Sequence, residues 1–388
     1  MDFELPPDDD PRRAEVREWL AAHPSPGGRA LAEAGWVAPH WPAPWGREAD
    51  PIHQLVIDEE LRRAGVSRPS NPIGIGWAGP TILAAGTDEQ KDRHLMGLLS
   101  GEDIWCQLFS EPGAGSDLAN LGTRAVRDGD EWVVSGQKIW TSLAHHSRYG
   151  ILLARTDPDV PKHKGITYFI CPMDAPGIEI RPIVEMTGGH TFNEVFLDEV
   201  RIPHEHVVGD VNDGWRLAKV TLANERVSLS SGGALWGMGP SADDLLDVVR
   251  AAGGTADPHL RRRLADLYVE SQILRLIRLR TVTAAVRGVE PGPEASIRKI
   301  LADEHGQRIM ELAKDLAGAG AMLTDVGPLG TDASWWHHGF LFAQALTIGG
   351  GTGDVQRNIV AERVLGLPHD VDVEEGRSWA EGRRAAAG

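Results

Sequence analysis

The period of the apolar positions changes twice along the chain, which divides it into a helical, an extended and a second helical segment. From about residue 11 to 105, apolar side chains recur at the spacing of amphipathic helices. DPRRAEVREWL carries a proline near its start. PIHQLVIDEELRRAG reads as a helix that ends at Gly65, because glycine often follows the last turn.

From about residue 121 the period shortens to that of strands. Asp128-Gly129 lies between two extended runs, which is typical of a hairpin turn. The runs GITYFICPM, GIEIRPIV and NEVFLDEVRIP follow at close spacing, with glycine and proline between them. The pattern predicts a small β-domain, either a barrel or a sandwich.

After Gly209 the helical period returns and continues to about residue 346. It covers 213–250, a long helix that begins at Asp257-Pro258 and is predicted to stop at Gly288, then 294–317 and 333–346. Strands and helices never alternate as βαβ units. The sequence therefore predicts an α+β fold in three consecutive segments.

We place the domain boundaries where the period changes. The predicted domains are an N-terminal helical domain (1–105), a central β-domain (106–210) and a C-terminal helical domain (211–388).

Composition narrows the classes of partner and compartment. The net charge of −17, from 39 basic and 56 acidic residues, disfavours nucleic acid and anionic membrane surfaces as partners. Only Cys106 and Cys171 occur, so we expect no disulfide framework and a reducing compartment. The start MDFELPPDDD has no signal-peptide character, and no apolar run is long enough to cross a membrane. We therefore expect a cytoplasmic protein.

Three short motifs imitate functional sites. GIGWAG (74–79) matches a dinucleotide fingerprint, but it follows Asn-Pro rather than a strand. The His pairs 145/146 and 337/338 are adjacent in sequence, so their side chains point apart and no metal site is predicted. The G-x-S-x-G elbow of a serine hydrolase is absent from the sequence.

One polar loop does have the character of a binding site. EPGAGSD (111–117) combines glycines with Ser116 and Asp117, and such a loop presents main-chain N–H groups and hydroxyls to an anionic or polar ligand. A plain turn is the alternative. About twenty residues later, GQKIWTS brings Trp140 and Ser142 onto a predicted strand.

Taken together, CQLFSEPGAGSD, DGDEWVVSGQKIWTS, ILLARTDPD, MTGGHTFNEVFLDEVRIP and GTGDVQRNIVAERVLGLP resemble the acyl-CoA dehydrogenases, in particular their actinobacterial-type branch. The similarity covers nearly the whole chain. It implies an N-terminal helical domain, a central β-barrel and a C-terminal four-helix bundle. It also implies FAD as cofactor, an acyl-CoA substrate oxidised to the trans-2-enoyl-CoA, electron-transfer flavoprotein as acceptor, and a homotetramer or related dimer.

The reaction requires a base for the α-proton, hydrogen bonds to the thioester carbonyl, and a hydride acceptor, which the resemblance assigns to flavin N5. The resemblance also implies which residues contact the cofactor. Ser116 would lie where flavin and substrate meet, and Arg261, with Arg262 and Arg263 as alternatives, would reach the FAD pyrophosphate of a neighbouring subunit. The other implied contacts are Gln107, Leu108, Ser110, Trp140, Ser142, Gln272, Gly351, Thr352 and Asp354.

The family's usual base is absent from its usual place. Aligning Gly351-Thr352 with the family's Tyr-Glu-Gly-Thr puts Gly350 where the glutamate would be, beside the substrate. Some branches carry the base on the first long helix of the C-terminal domain, and Glu225-Arg226 occupies that position here. We therefore expect Glu225 to be the base and Arg226 to orient the pocket or the CoA.

The helical period makes Glu225 interrupt an otherwise apolar face that includes Ala218 and Leu222. A carboxylate there would be partly desolvated, which raises its pKa. The alternative is that the helix turns Glu225 toward solvent, and Asp354 is a second, lower-ranked carboxylate.

Two alternatives to this function stay open. The chain could be a non-catalytic or half-site subunit of a mixed oligomer, or an oxygen-using flavoenzyme on the same fold. The glycines at 349 and 350 remove two side chains that would crowd the acyl pocket, so we expect a branched, cyclic or otherwise bulky acyl group.

Overall fold

The computed structural model describes residues 6–229, 235, 238–286, 292–332, 334–371 and 374–387. Contacts divide the chain into two units. The first unit contains the described residues within 1–184, 190–224 and 372–388, and the second contains those within 185–189 and 225–371.

The first unit begins with short helices, two of which are capped at their start by an aspartate. Asp10 accepts a hydrogen bond from the Arg12 N–H and Pro11 opens the first helix, while Asp50 caps the third helix in the same way. The third helix ends one residue before Ala64, and Gly65 takes a left-handed φ of 68°, which confirms the predicted stop. These helices are α1 (Pro11–Ala22), α2 (Gly28–Glu33), α3 (Pro51–Arg63), α4 (Gly79–Ala85) and α5 (Asp88–Ser100).

The motif GIGWAG forms no phosphate-binding turn between a strand and a helix. Gly74–Ala78 is a single π-helical turn that runs directly into α4. An added Cβ at Gly79 would lie 2.2 Å from the Trp41 ring, so this glycine serves helix packing.

The described strands form one eight-stranded mixed sheet. Its order is β6-β7-β3-β2-β4-β5-β8, with β1 paired to β4 in parallel. The predicted hairpin at Asp128-Gly129 joins β2 to β3, and Gly129 has a φ of 62°. The strands are β1 (Trp105–Leu108), β2 (Arg124–Asp128), β3 (Glu131–Ser142), β4 (Tyr149–Arg155), β5 (Ile166–Pro172), β6 (Ile178–Pro182), β7 (Phe192–Pro203) and β8 (Val207–Val208).

Helices and sheet in the first unit share buried apolar layers. Fully buried Trp36 and Ile57 from the helical part belong to one cluster with Trp105 and Tyr168 from the strands. The start of helix α6 (Gly214–Leu229) joins this cluster through Leu217 and Ala218. Burial of such side chains supplies most of the free energy that holds the strands under the helices.

The second unit is helical. Its core contains Leu245, Leu267, Met310 and Leu346, which are fully or almost fully buried. Its helices are α7 (Ala242–Ala251), α8 (Pro258–Val286), α9 (Ala295–Ala317), α10 (Ser334–Phe342) and α11 (Gly353–Ile359). The start of α8 at Pro258 is confirmed, and the predicted stop at Gly288 lies outside the described residues.

The prediction that helical structure persists through 213–250 is wrong in its middle. Leu235 and Met238 form an isolated β-bridge, Gly239 has a φ of 72°, and Ser241 starts α7 with a capping box. A left-handed glycine followed by a capping serine restarts a helix rather than continuing one.

The chain then returns to the first unit. Helix α12 (Trp379–Ala387) packs there, and Trp379 and Ala380 donate main-chain hydrogen bonds to the loop between β4 and β5. In the described part of the chain, no helix is long and apolar enough to span a bilayer.

Candidate active site

In the first unit, the segment after β1 lies beside the end of β3. The Ile139 N–H donates to the Ser110 carbonyl at 2.9 Å, which brings the predicted contacts Gln107 and Ser110 next to Trp140 and Ser142. Gln107 and Ser110 are half-buried. Leu108 differs because its side chain is buried in the core of the sheet, so only its main-chain groups are available to a ligand.

A bulge in β3 presents Trp140. The pairing of β3 with β7 shifts between Lys138 and Thr141, and Trp140 within this shift has a φ of 60°. The residue is 58% exposed, and its ring lies edge-on to that of Phe192, with 6.0 Å between centroids. A left-handed tryptophan costs roughly 1–2 kcal/mol, and such strain is commonly kept at binding sites.

A buried ion pair anchors the polar loop that follows Ser110. Lys138 Nζ donates to Glu111 Oε1 at 2.8 Å and to the carbonyls of Phe109 and Leu153 at 3.1 and 2.8 Å. Glu111 also accepts the N–H groups of Gly122 and Thr123 at 2.6 and 2.9 Å. Although burial opposes it, the Lys138 charge and these hydrogen bonds hold the pKa of Glu111 below its ordinary value.

The loop itself is open to solvent. Gly113, Gly115, Ser116 and Asp117 are exposed. A Cβ added at Gly113 or Gly115 would meet nothing within 4 Å, and neither glycine has a left-handed φ, so the protein's own packing does not require glycine there. A ligand that approaches the main chain closely would require it.

In the second unit, the triple glycine turns sharply before α11. Gly350 and Gly351 have φ values of 67° and 90°, and a Cβ at Gly351 would lie 2.4 Å from Gln356 Nε2. Gln356 Nε2 donates to the carbonyls of Gly350 and Gly351 at 3.0 and 3.4 Å. Thr352 caps α11 by accepting the Val355 N–H at 3.3 Å, and Asp354 is exposed.

A cavity of about 230 Å³ adjoins this turn within the second unit. Its lining includes Thr352 and Asp354 together with Asp303, Glu304 and Arg357, which the sequence reasoning missed. Burial raises the pKa of Asp303 to about 6 even though Lys299 Nζ lies 2.5 Å from its Oδ2. The signal that could have found this pair is two opposite charges four residues apart on α9.

The three arginines at the start of α8 differ in their partners. Arg263 donates to Asp315 Oδ2 at 2.5 Å, whereas Arg261 and Arg262 have no ion-pair partner among the described residues. Arg261 and Arg262 are both exposed. Gln272 is half-buried eleven residues after Arg261, on the same face of α8.

Helix α6 carries the predicted base at a position that follows a buried turn. The Thr221 hydroxyl lies 2.8 Å from that of Thr81 and 3.1 Å from that of Tyr168, and Ala218 is fully buried. Position 225 comes one turn after Thr221 on the same helix. The side chains of Glu225 and Arg226 lie outside the described residues.

Models of three family domains match the chain in order. They are the N-terminal, middle and C-terminal domains of acyl-CoA dehydrogenase, at residues 9–102, 106–200 and 212–365. The chain therefore belongs to the acyl-CoA dehydrogenase family, whose members are FAD-dependent oxidoreductases. The predictions of family, fold class and cofactor are confirmed.

Individual relatives agree with this family. FadE34 of Mycobacterium tuberculosis, an acyl-CoA dehydrogenase, is 49% identical over 339 residues, which is 87% of this chain and 46% of FadE34. The chain thus spans about half the length of that relative. The solved structure of the Tcur3481-Tcur3483 steroid ACAD superposes with a TM-score of 0.79 at 32% identity, covering 95% of this chain and all of that one. The ChsE4-ChsE5 complex from Mycobacterium tuberculosis gives 0.75 at 33% identity, with the same coverage.

Each unit, taken by itself, contains residues that fit contacts to FAD. The first unit offers an exposed tryptophan, polar groups at 107, 110 and 142, and a glycine loop that its own packing does not explain. In the second unit, the buried Gln356 Oε1 has no hydrogen-bond partner among the described residues, beside Gly350–Thr352. FAD, when bound, would supply a two-electron acceptor for substrate oxidation.

Proposed function

We propose that the chain oxidises the Cα–Cβ bond of an acyl-CoA thioester and that Glu225 removes the α-proton. The observation that carries this assignment is the turn at Gly350. The family's usual base position is occupied by a residue that cannot take a proton, and its φ of 67° disfavours any residue with a side chain. The family resemblance assigns the role of base to position 225 of α6 instead, with Asp354 as the lower-ranked carboxylate.

The local structure supports a desolvated base at that position. Residues Ala218 and Thr221 are fully buried, and position 225 continues their face of the helix. A carboxylate on this face binds a proton more readily than one in water, as a general base near neutral pH should. Position 226 lies about 100° around the helix from position 225, so we assign Arg226 to orienting the substrate rather than to neutralising Glu225.

Other residues bind and orient the reactants. Ser116 and the open main chain at Gly113 and Gly115 are available to the substrate's polar groups. Trp140, Ser142, Ser110 and Gln107 would hold the flavin ring, and Arg261 or Arg262 would bind the pyrophosphate. These roles follow from the family resemblance and from the exposure of each group.

We further propose a bulky, polycyclic acyl group. Glycine at 349 and 350 leaves out two side chains, and the solved relative named as a steroid ACAD covers nearly the whole chain. A panel of acyl-CoA thioesters tests both proposals through anaerobic bleaching of the visible absorbance of the oxidised flavin. Bleaching by steroid-type thioesters and not by short straight chains is expected; strong preference for short chains would reject the substrate class.

The Glu225→Gln variant tests the base. We expect it to bind FAD and to lose bleaching by roughly a hundredfold or more, because a positioned general base contributes about 10²–10⁴ in rate. Glu33→Gln, at an exposed carboxylate of α2, is the matched control and should bleach normally. Full turnover by Glu225→Gln would reject the assignment.

A second candidate function is that of a half-site subunit. It is favoured by one observation: the chain covers all of single chains from structures named for two components. If purified protein is colourless and gains FAD only after mixing with a homologous chain, the half-site function is supported. One FAD per chain in the protein alone would reject it.

A further inference from the structure

The segment 374–387 closes over the loop between β4 and β5 in the first unit. The Trp379 N–H donates to the Val160 carbonyl at 2.9 Å, and the Ala380 N–H donates to that of Pro158 at 3.0 Å. These two main-chain hydrogen bonds hold the segment against this loop. Lys162 lies in the same loop.

Lys162 joins the segment to the polar loop 111–122, which we call the ligand loop. Its Nζ lies 2.8 Å from Glu374 Oε2 and 3.0 Å from Asp117 Oδ2. Burial alone would lower the pKa of Lys162, but hydrogen bonds to Glu374 and Asp117 outweigh it and raise that pKa. The ammonium therefore stays charged between two carboxylates, one of which follows Ser116 directly.

Trp379 supports the ligand loop from its other end. Its indole N–H donates to the Asn120 carbonyl at 3.4 Å, and its ring lies 3.7 Å from where a Cβ at Gly122 would be. Gly122 in turn donates its N–H to Glu111. Buried Arg155 lies 4.9 Å above the Trp379 ring and donates to the carbonyls of Ala119 and Leu121.

We infer that Lys162, held by Glu374, is a positioning residue that orders the ligand loop so that the substrate can bind. This inference rests on the proposed function. Ala114 and Leu118 of this loop are buried in the core, whereas Gly115, Ser116 and Asp117 between them are exposed, and a Cβ at Gly115 would meet nothing within 4 Å. The loop's Glu111 end is held by Lys138 and its Asn120–Gly122 end by Trp379. Between these two ends, the ion pair of Lys162 with Asp117 holds the loop next to Ser116.

The ion pairs of Lys162 with Glu374 and Asp117 are too exposed to add much to the free energy of unfolding. The side chains of Lys162, Glu374 and Asp117 are 22%, 36% and 53% exposed, and such pairs contribute little to folding. Their effect should therefore appear in the order of the loop and in substrate binding.

Hydrogen–deuterium exchange of peptides covering 111–122 tests the clamp without any activity. Lys162→Met and Glu374→Gln should each speed exchange of the loop by roughly threefold to tenfold, the size expected from losing partly exposed ion pairs. Lys162→Arg should restore protection, and Lys164→Met, at an exposed lysine two residues away, should change nothing. Unchanged exchange in both Lys162→Met and Glu374→Gln would overturn the clamp.

Steady-state kinetics test its consequence. Lys162→Met should raise KM for the acyl-CoA by roughly threefold to tenfold and change kcat by less than about twofold, since it loosens binding rather than chemistry. Faster loop exchange with an unchanged KM would overturn the role in substrate positioning. If the wild type oxidises no acyl-CoA, the proposed function fails while the exchange result still decides the clamp.

Discussion

Lys138 Nζ and Glu111 Oε1 lie 2.8 Å apart inside the first unit, where the lysine side chain has no exposed surface. The pair joins the middle of β3 to the base of the ligand loop. Because β3 also carries the bulge at Trp140, one buried contact fixes the relative position of the two predicted flavin-binding segments. A buried pair of this kind is costly to break from one side.

Lys138→Met should destabilise the first unit by about 3 kcal/mol, because it leaves the Glu111 carboxylate buried with only two N–H donors. Urea unfolding followed by exchange of β3 peptides measures this. Lys138→Met combined with Glu111→Gln should recover part of the loss. Lys91→Met, which breaks a surface pair with Asp88, should cost less than about 0.5 kcal/mol, and equal costs at both lysines would contradict the interpretation.

Trp140→Ala should weaken FAD binding by roughly tenfold, because an exposed aromatic ring held in a strained conformation contributes by stacking. Titration of the FAD-free protein with FAD, followed by quenching of flavin fluorescence, gives the Kd. Trp335→Ala is the control, since that ring in the second unit is similarly exposed at 53%. Equal losses at the two positions would exclude a specific role for Trp140.

The elements that the sequence predicts well are those with local signals. The Asp-Pro start of α8 and the Asp-Gly turn between β2 and β3 each depend on residues within one turn of the boundary. The loop at 111–117 was predicted from an equally local signal, since no regular element accommodates such a stretch, and the role of Ser116 in it stays a prediction.

The features that the sequence could not predict depend on distant contacts. Helix α12 returns to the first unit through Trp379, whose partners Asn120 and Arg155 lie more than 200 residues earlier. Asp303 looks like an ordinary helical carboxylate in the sequence, but in the structure it lines a cavity together with Thr352 and with Asp354 and Arg357 of α11. The helical period predicts which face of its helix a residue occupies. It does not predict which other element packs against that face.

His94 should make the protein less stable in mild acid. Burial, with smaller contributions from His206, Arg93 and Arg148, lowers its pKa to about 4, whereas an unfolded histidine titrates near 6.5. The unfolded chain therefore binds the extra proton between these values. Stability from neutral His94 is fully present above about pH 6.5 and declines by at most about 3 kcal/mol as the pH falls to 4.

His94→Phe should reduce this decline while keeping a ring against Trp105 and Tyr149. Urea midpoints measured from pH 4 to 7.5 compare the slopes. His23→Phe, at an exposed histidine, should leave the slope of the wild type unchanged. If the slope is the same with and without His94, another group governs acid sensitivity.

Gly350 should resist replacement because its φ is 67°, where a residue with a Cβ is disfavoured. Gly350→Ala should cost about 1 kcal/mol of stability, whereas Gly353→Ala, inside α11 and next to the flexible end of Arg357, should cost nothing or stabilise slightly. Thermal unfolding of the two variants measures the difference.

The same backbone conformation decides whether the family's usual base can be restored. Glu225→Gln with Gly350→Glu should stay at least about a hundredfold below the wild type in kcat/KM, because a glutamate at 350 must first rebuild the turn that Gln356 holds. Recovery of activity in that double variant would show that the turn adapts to a side chain, and the assignment of proton removal to position 225 would then lose its structural support.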